Sequence, residues 1–265
     1  MIPCALTIAG SDSGGGAGIQ ADLKTFAAHR VHGLSAIAAL TAQNTRGVTA
    51  VDVPAVAFLR AQIDACFDDF SIGAVKLGML ATAEVIHAVA DALERHRPPH
   101  IVLDPVMVAT SGARLLELDA LDALRARLLP LATLVTPNLP EAELLLGAAI
   151  NDHAAMREAC ALLRQRGASA VLLKGGHLAA DGDVVDLFAT ADGIVPISHP
   201  RLTLEAHGTG CTLASAVAAN LCRGRTLADA CREAADYVHA ALLGGYRPGR
   251  SDIVLLDHFG AAPRD

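Results

Sequence analysis

The residues able to do chemistry in this chain stand in short polar clusters, each directly after an apolar run. His207-Gly208-Thr209-Gly210-Cys211-Thr212 leads into the small-residue stretch Leu213 to Leu221. Two glycines bracketing a threonine let successive backbone N–H groups converge, and a following helix adds its own unpaired N–H groups and the positive end of its dipole. Such a stretch reads as an anion hole suited to phosphate. It reads equally as a glycine turn with an ordinary cap. At a helix start the Cys211 thiol is expected to ionise below the free value of about 8.5, whereas as a small core residue it would be inert.

Other clusters repeat the placement. Asp104 follows Ile101 to Leu103 and precedes Pro105, a sharp exit that also suits a loop-capping carboxylate. Asn138-x-x-Glu141 is both a capping pattern and, together with Asp104, a set of oxygen donors suited to Mg²⁺. Lys24, Lys76 and Lys174 are the only lysines, and two of them, Lys76 and Lys174, end apolar runs. That coincidence favours an anionic ligand. Gly16-Ala17-Gly18-Ile19-Gln20-Ala21 fits a dinucleotide fingerprint, but no acid occurs between Asp22 and Asp52 to hold a ribose, and Gln43 stands at the relevant strand end. A P-loop is excluded because the chain has no Gly-Lys dipeptide.

The elements that must hold these clusters follow from periodicity. Strands are expected at Cys4 to Ala9, Ser35 to Ala42, Val48 to Val53 (short and exposed), Ala74 to Leu77, Ile101 to Leu103, Leu134-Val135 and Ala170 to Leu173. Helices are expected at Ile19 to Val31, from Pro54 with Phe58, Ile63, Cys66 and Phe67 on its apolar face, at 82–96, at 117–128, from Pro140 to Leu146 and from Asp152 to Arg166. Val184 to Phe188 and Ile194 to Ile197 read as a hairpin turning near Asp192-Gly193, followed by helices at 210–222 and 227–243 and a short, weakly held strand after Pro248. Alternation of this kind implies a mostly parallel sheet covered on both faces, with ligands at the carboxyl ends of its strands.

Composition bounds the remaining possibilities. The 265 residues contain neither linker nor repeat and are expected to form one α/β domain over residues 1–265. Hydrophobic residues make up 52% and aromatics 3%, so the core must be aliphatic. A net charge of −7 without a basic cluster argues against a nucleic-acid partner. Six cysteines without CxxC pairing and no apolar run long enough for a membrane point to a soluble cytoplasmic chain with reduced thiols.

Seven blocks, in order, carry a resemblance: Ala9-Gly10 to Thr25, Thr41-Ala42-Gln43-Asn44-Thr45, Lys76 to Leu80, Asp104 to Met107, Thr136 to Ala142, Leu173 to His177 and His207 to Cys211. Together they resemble the hydroxymethylpyrimidine/phosphomethylpyrimidine kinases of thiamine biosynthesis, within the ribokinase-like superfamily, over about residues 5–243. The resemblance implies a three-layer α/β/α fold and ATP-dependent phosphorylation of 4-amino-5-hydroxymethyl-2-methylpyrimidine, then of its monophosphate. It implies that Gln43 reads the pyrimidine, with Gly10, Asp22, Met79 and Val106 lining the same pocket. Asp104 and Glu141 then resemble the magnesium residues, and Lys174, Asn138 and Thr209 the nucleotide-phosphate contacts. Gly208, Thr209, Gly210 and Cys211 resemble the site of phosphoryl transfer. Where sugar kinases of the superfamily end the last motif in Asp, this chain has Cys211, so either the thiolate takes the hydroxyl proton or the base role is minor. A homodimer is expected, and loops near Val106 to Ser111 or His177 to Asp183 are candidates to close over the nucleotide.

Three rivals stand beside this reading. Pyridoxal or pyridoxine kinase shares the fold and a hydroxymethyl heteroaromatic substrate. A non-catalytic ligand-binding protein would keep Gln43 but not need Asp104, Glu141 and Cys211. A nicotinamide dehydrogenase is disfavoured by the missing acid after the second strand.

Overall fold

Where strands bury both faces, their sequence carries no alternation. In the computed structural model, which describes residues 2–108, 115–117, 119–178 and 182–263, β1 (Cys4–Asp12) buries Ala5 to Gly10 without a break. The chain then forms α1 (Gly18–Ala28), β2 (His32–Asn44), β3 (Gly47–Asp52), α2 (Val56–Asp69), β4 (Ile72–Leu77), α3 (Ala83–His96) and β5 (Ile101–Leu103). Next come α4 (Ala120–Ala123), β6 (Leu134–Val135), α5 (Leu139–Leu146), α6 (His153–Gln165), β7 (Val171–Leu173), β8 (Val184–Thr190) and β9 (Gly193–His199). The final elements are β10 (Ala206–His207), α7 (Thr209–Cys222), α8 (Leu227–Leu243) and β11 (Val254–Leu255).

Among the described residues, one sheet of nine strands runs in the order β3-β2-β1-β4-β5-β6-β7-β8-β9. From β2 to β7 neighbours are parallel; β3 at one edge and the β8/β9 hairpin at the other are antiparallel. Leu6, Ile8, Val75 and Leu103 point into a core closed by α2, α3, α5 and α6. Ala5, Ala74, Val102 and Leu172 point into a second core closed by α1, α7 and α8. The expected three layers and mostly parallel sheet are therefore present. Strand order reverses direction at β1, between β2 and β4, which opens a crevice at the carboxyl ends of these strands.

Several boundaries differ from expectation for local reasons. β1 runs on to Asp12 because a bulge after Ala9 re-registers Gly10, Ser11 and Asp12 against Ala39, Leu40 and Thr41. α1 stops at Ala28 because the chain turns with Arg30 at a φ of 58°. Pro54 precedes the helix: the Ala55 carbonyl accepts the first helical bonds, from Phe58 and Leu59. The apolar stripe of α2 is accordingly Leu59 and Ile63, with Cys66 and Phe67 partly buried against the core as expected, and Phe58 is exposed. The helix expected over 117–128 is the single α-turn of α4, widened to a π turn over Leu124–Leu128 and tightened to a 3₁₀ turn over Leu129–Leu131. Pro130, lacking an N–H, prevents an α-helix from continuing there. Leu118 lies outside the described residues. The tail is not weakly held: β11 pairs with β10, and Val254, Leu255 and Leu256 are buried.

His29 shows what this burial costs at acid pH. Its Nδ1–H donates to the Thr25 carbonyl at 2.8 Å, its ring meets Tyr237 edge-on at 4.6 Å, and burial pushes its pKa down to about 4. Burial likewise pushes His258 down to about 4. An unfolded histidine binds its proton near pH 6.5, so the unfolded state takes up protons that the folded state refuses between about pH 6.5 and 4. Stability is therefore full above that window and falls through it, by up to about 3 kcal/mol for His29. Urea midpoints measured from pH 7.5 to pH 4 are expected to fall, and His29→Gln is expected to flatten the slope; an unchanged slope contradicts the assignment.

Candidate active site

The carboxyl ends of β1, β2, β4, β5, β6 and β7 open onto one cavity of about 670 Å³. Gly10, Gln43, Met79, Asp104, Val106, Asn138, Glu141, Lys174 and the run Gly208 to Cys211 all line it. These positions are separated by up to two hundred residues in sequence, and the sheet brings them together because each follows a buried strand or opens a helix.

Gly208 caps α7 with a φ of 85°, a conformation that costs little only for glycine. A side chain there would also run into the Gly16 carbonyl, so two glycine loops touch at this point. The first N–H groups of α7 have no acceptor within the helix, and Thr209, Gly210 and Cys211 of this first turn line the cavity. A Cβ on Gly210 would lie 3.0 Å from Lys174 Nζ and 3.6 Å from Asp104 Oδ2, which sets the nest directly beside both charged groups.

Lys174 Nζ donates to Asp104 Oδ1 at 3.1 Å and lies 3.8 Å from Glu141 Oε2. Burial works to discharge this lysine, but Asp104 and Glu141 overcome it and raise its pKa. Burial, reinforced by the Asp104 charge, lifts Glu141 to about 7. The same Glu141 closes a capping box: its Oε2 accepts from the Asn138 N–H and the Asn138 Oδ1 accepts from the Glu141 N–H, both at 2.8 Å. Capping and siting are thus one arrangement. The cap holds Glu141 facing Asp104 across a single ammonium.

Asp22 does not line the cavity. Its carboxylate is wholly buried and accepts from Lys76 Nζ at 2.9 and 3.0 Å, from Thr7 Oγ1 at 2.6 Å and from Ser215 Oγ at 2.7 Å. Burial works to discharge Lys76, and the Asp22 carboxylate overcomes it and holds the ammonium above its ordinary range. Lys76 therefore lines the cavity with its charge already paired to Asp22. The expected easy ionisation of Cys211 is also corrected. Burial pushes the thiol up to about 11, with Asp22 and Asp104 adding to it and Lys76 opposing. Its position in the first turn of α7 does not compensate for the lost solvent.

The sequence places Asp12 and His207 beside the candidate clusters but assigns neither a role. Asp12 accepts from the amides of Gly14, Gly16 and Ala17 at 2.8 to 3.0 Å, so it fills the first glycine loop with its own carboxylate. Burial disfavours that charge, but His207 and the Ala17 and Gly14 amides hold its carboxyl below the usual range. The loop amides are spent on Asp12, which removes the anion site that a dinucleotide fingerprint requires. His207 Nε2 meets Gln43 Nε2 at 2.8 Å. Sequence also missed the far half of the cavity, where Asp186, His199, Arg201 and His239 stand on β8, β9, α8 and their connections. A hairpin signal there carried no chemistry to mark it. Of the two closing loops expected, Val106, Val108 and His177 line the cavity, while residues 109–111 and 179–181 lie outside the described residues.

Two sets of variants test this construction. Lys76→Met leaves a buried carboxylate unpaired and is expected to cost about 3–5 kcal/mol by urea unfolding, most of it recovered in Asp22→Asn/Lys76→Met; wild-type stability of the single variant contradicts the pairing. Gly208→Ala is expected to cost about 1–3 kcal/mol and to abolish binding of phosphate ligands, because strain and the Gly16 carbonyl both oppose it. Gly210→Ala meets a movable lysine end and is expected to keep the fold.

With this geometry in place, likeness to known proteins acquires a structural meaning. The family model described as phosphomethylpyrimidine kinase matches residues 12–255, from the filled glycine loop to β11. A hydroxymethylpyrimidine/phosphomethylpyrimidine kinase of Rhizobium meliloti is 52% identical over 91% of both chains. The crystal structure of a phosphomethylpyrimidine kinase from Clostridium difficile superposes with a TM-score of 0.80 at 40% identity, covering 90% of this chain and 98% of that one. A pyridoxal kinase from Staphylococcus aureus, in complex with AMP-PCP and pyridoxal, gives a TM-score of 0.89 at 31% identity over 98% and 94% of the two chains. The two solved structures share the ribokinase-like α/β/α fold with this chain, and the family match spans the strand ends that build the cavity. This chain belongs to the phosphomethylpyrimidine kinase family.

Proposed function

We propose that this chain transfers a phosphoryl group from ATP to the hydroxyl of 4-amino-5-hydroxymethyl-2-methylpyrimidine, and a second one to the resulting monophosphate, as in thiamine biosynthesis. One observation carries the reading: the Gln43 carboxamide, which can match an aminopyrimidine edge, shares a single cavity with the Gly208–Cys211 nest, which can receive phosphate. The 52% identical relative named for this activity supports it.

In this reading Gln43 holds the ring, enclosed by Gly10, Met79 and Val106. Lys174, Asn138 and Thr209 hold the nucleotide phosphates. The amides of Gly208, Thr209 and Gly210, with the helix dipole of α7, receive the transferring group; such transfer needs positioning and charge neutralisation more than covalent help. Asp104 and Glu141 suit Mg²⁺. They are two hard carboxylates sharing one Lys174, which leaves a net negative charge beside the cavity for a cation that keeps waters and phosphate oxygens. Bound there, the ion supplies neutralisation of phosphate charge.

Cys211 divides the two steps. The hydroxymethyl group must lose a proton, whereas the monophosphate is already a nucleophile. With its thiol at about 11, Cys211 is protonated at neutral pH, and any base role runs through a small thiolate fraction. The alcohol step is therefore expected to speed up with rising pH throughout the range in which the protein stays folded. Cys211→Ala is expected to lose that rise and to slow the alcohol step by about 100-fold while sparing the monophosphate step. An unchanged alcohol step in Cys211→Ala sinks the base role.

The high overlap with the pyridoxal kinase favours pyridoxal as a second substrate class. ADP release measured with the hydroxymethylpyrimidine, its monophosphate and pyridoxal separates the readings: turnover of both pyrimidines is expected, and turnover of pyridoxal alone overturns the assignment. The protein is further read as a cytoplasmic homodimer paired through the exposed edge strand β3; among the described residues no helix is long and apolar enough to cross a membrane. A monomeric mass by light scattering contradicts the dimer.

A further inference from the structure

A carboxamide has a donor end and an acceptor end, and its neighbours decide which lies where. On one side of Gln43 stands Thr41, whose hydroxyl oxygen is 3.0 Å from Gln43 Oε1 and 2.9 Å from the Ser11 carbonyl. A hydroxyl has one proton: it can donate to Gln43 Oε1, or donate to Ser11 and accept from a Gln43 N–H. Thr41 therefore tolerates either end of the amide. On the other side stands His207, with Nε2 at 2.8 Å from Gln43 Nε2. This partner is selective, because a bare ring nitrogen must face the NH₂ group and a protonated one must face the oxygen.

The ring is held in place from two directions. Its Nε2 is 3.4 Å from Asp12 Oδ2, and Asp12 is fixed by the amides of the first glycine loop. His207 itself pairs with Leu255 in the β10–β11 ladder, immediately before the nest.

We infer that His207, backed by Asp12, is a specificity-determining positioning residue: it fixes the order in which Gln43 presents donor and acceptor to the ring in the cavity. The inference rests on the reading that Gln43 faces a pyrimidine edge. A 4-aminopyrimidine offers an amino donor beside a ring-nitrogen acceptor. Its 4-oxo counterpart offers a carbonyl acceptor beside an N–H donor. The two edges demand opposite orientations of Gln43. Once His207 has fixed one, the matching ring gains both hydrogen bonds and the other meets donor against donor and acceptor against acceptor.

The test compares the 4-amino and 4-oxo forms of the hydroxymethylpyrimidine as substrates of the wild type, His207→Asn and His207→Phe, with affinities also measured by calorimetry without ATP. The wild type is expected to prefer the 4-amino form. His207→Phe, which offers Gln43 no polar contact, is expected to reduce the preference by about tenfold or more, through KM rather than kcat. His207→Asn, whose amide can turn as Gln43 does, is expected to keep more affinity for the 4-amino form than His207→Phe while also losing preference. An equal loss for both pyrimidines, or an unchanged ratio in both variants, overturns the inference and leaves the functional reading standing. No turnover of either pyrimidine by the wild type overturns that reading and the inference with it. A measurement on the unmutated protein needs no variant to fold: ring ¹⁵N spectra are expected to show His207 protonated on the same nitrogen with either ligand bound, and a protonated nitrogen that changes with the ligand overturns the inference.

Discussion

The Asp22 carboxylate binds four elements at one point. It sits on α1 and takes donors from Thr7 on β1, Lys76 on β4 and Ser215 on α7, so the switch in strand order and the helix that opens on the cavity share one fixed origin. An ionised pair this deep is tolerated because every acceptor position is used; left half-satisfied it would oppose folding. The position of α7 relative to the sheet, and so of the nest relative to Gln43, depends on this buried charge. The small residues of α7 fit the same need, since every residue from Thr212 to Leu221 is buried.

Above that fixed point the site is arranged for charge balance more than for strong base chemistry. Asp104 and Glu141 compete for Lys174, Cys211 is kept as a thiol by burial, and the amides of the nest carry the remaining positive potential. A loose phosphoryl-transfer transition state asks for just such positioning and neutralisation. It also lets one cavity serve two acceptors as unlike as an alcohol and a phosphate monoester, because positioning and charge neutralisation are common to both steps.

Much of this was legible in the chain. Buried strands announce themselves as short aliphatic runs, and the polar residue after each run falls at a strand end whatever its partners are; that is why Gly10, Gln43, Asp104, Asn138, Lys174 and the nest can be placed around one cavity from the chain alone. What escaped depends on partners remote in sequence. Asp22 meets Lys76 and Ser215 at separations of 54 and 193 residues, and Gln43 meets His207 at 164, distances over which periodicity carries no information. The Cys211 thiol was misjudged for the same reason: its place at a helix start is local and visible, while the burial that outweighs it comes from the whole fold. The tail was misjudged because two residues of strand are too short to signal that β10 waits for them.

One measurement bears on the two-step account most directly: a ³¹P NMR time course with ATP, Mg²⁺ and 4-amino-5-hydroxymethyl-2-methylpyrimidine. The account predicts a phosphate monoester that rises first and is then consumed as a new diphosphate appears, with one ATP used for each step. A monoester that accumulates without conversion, or ATP left unchanged, contradicts it.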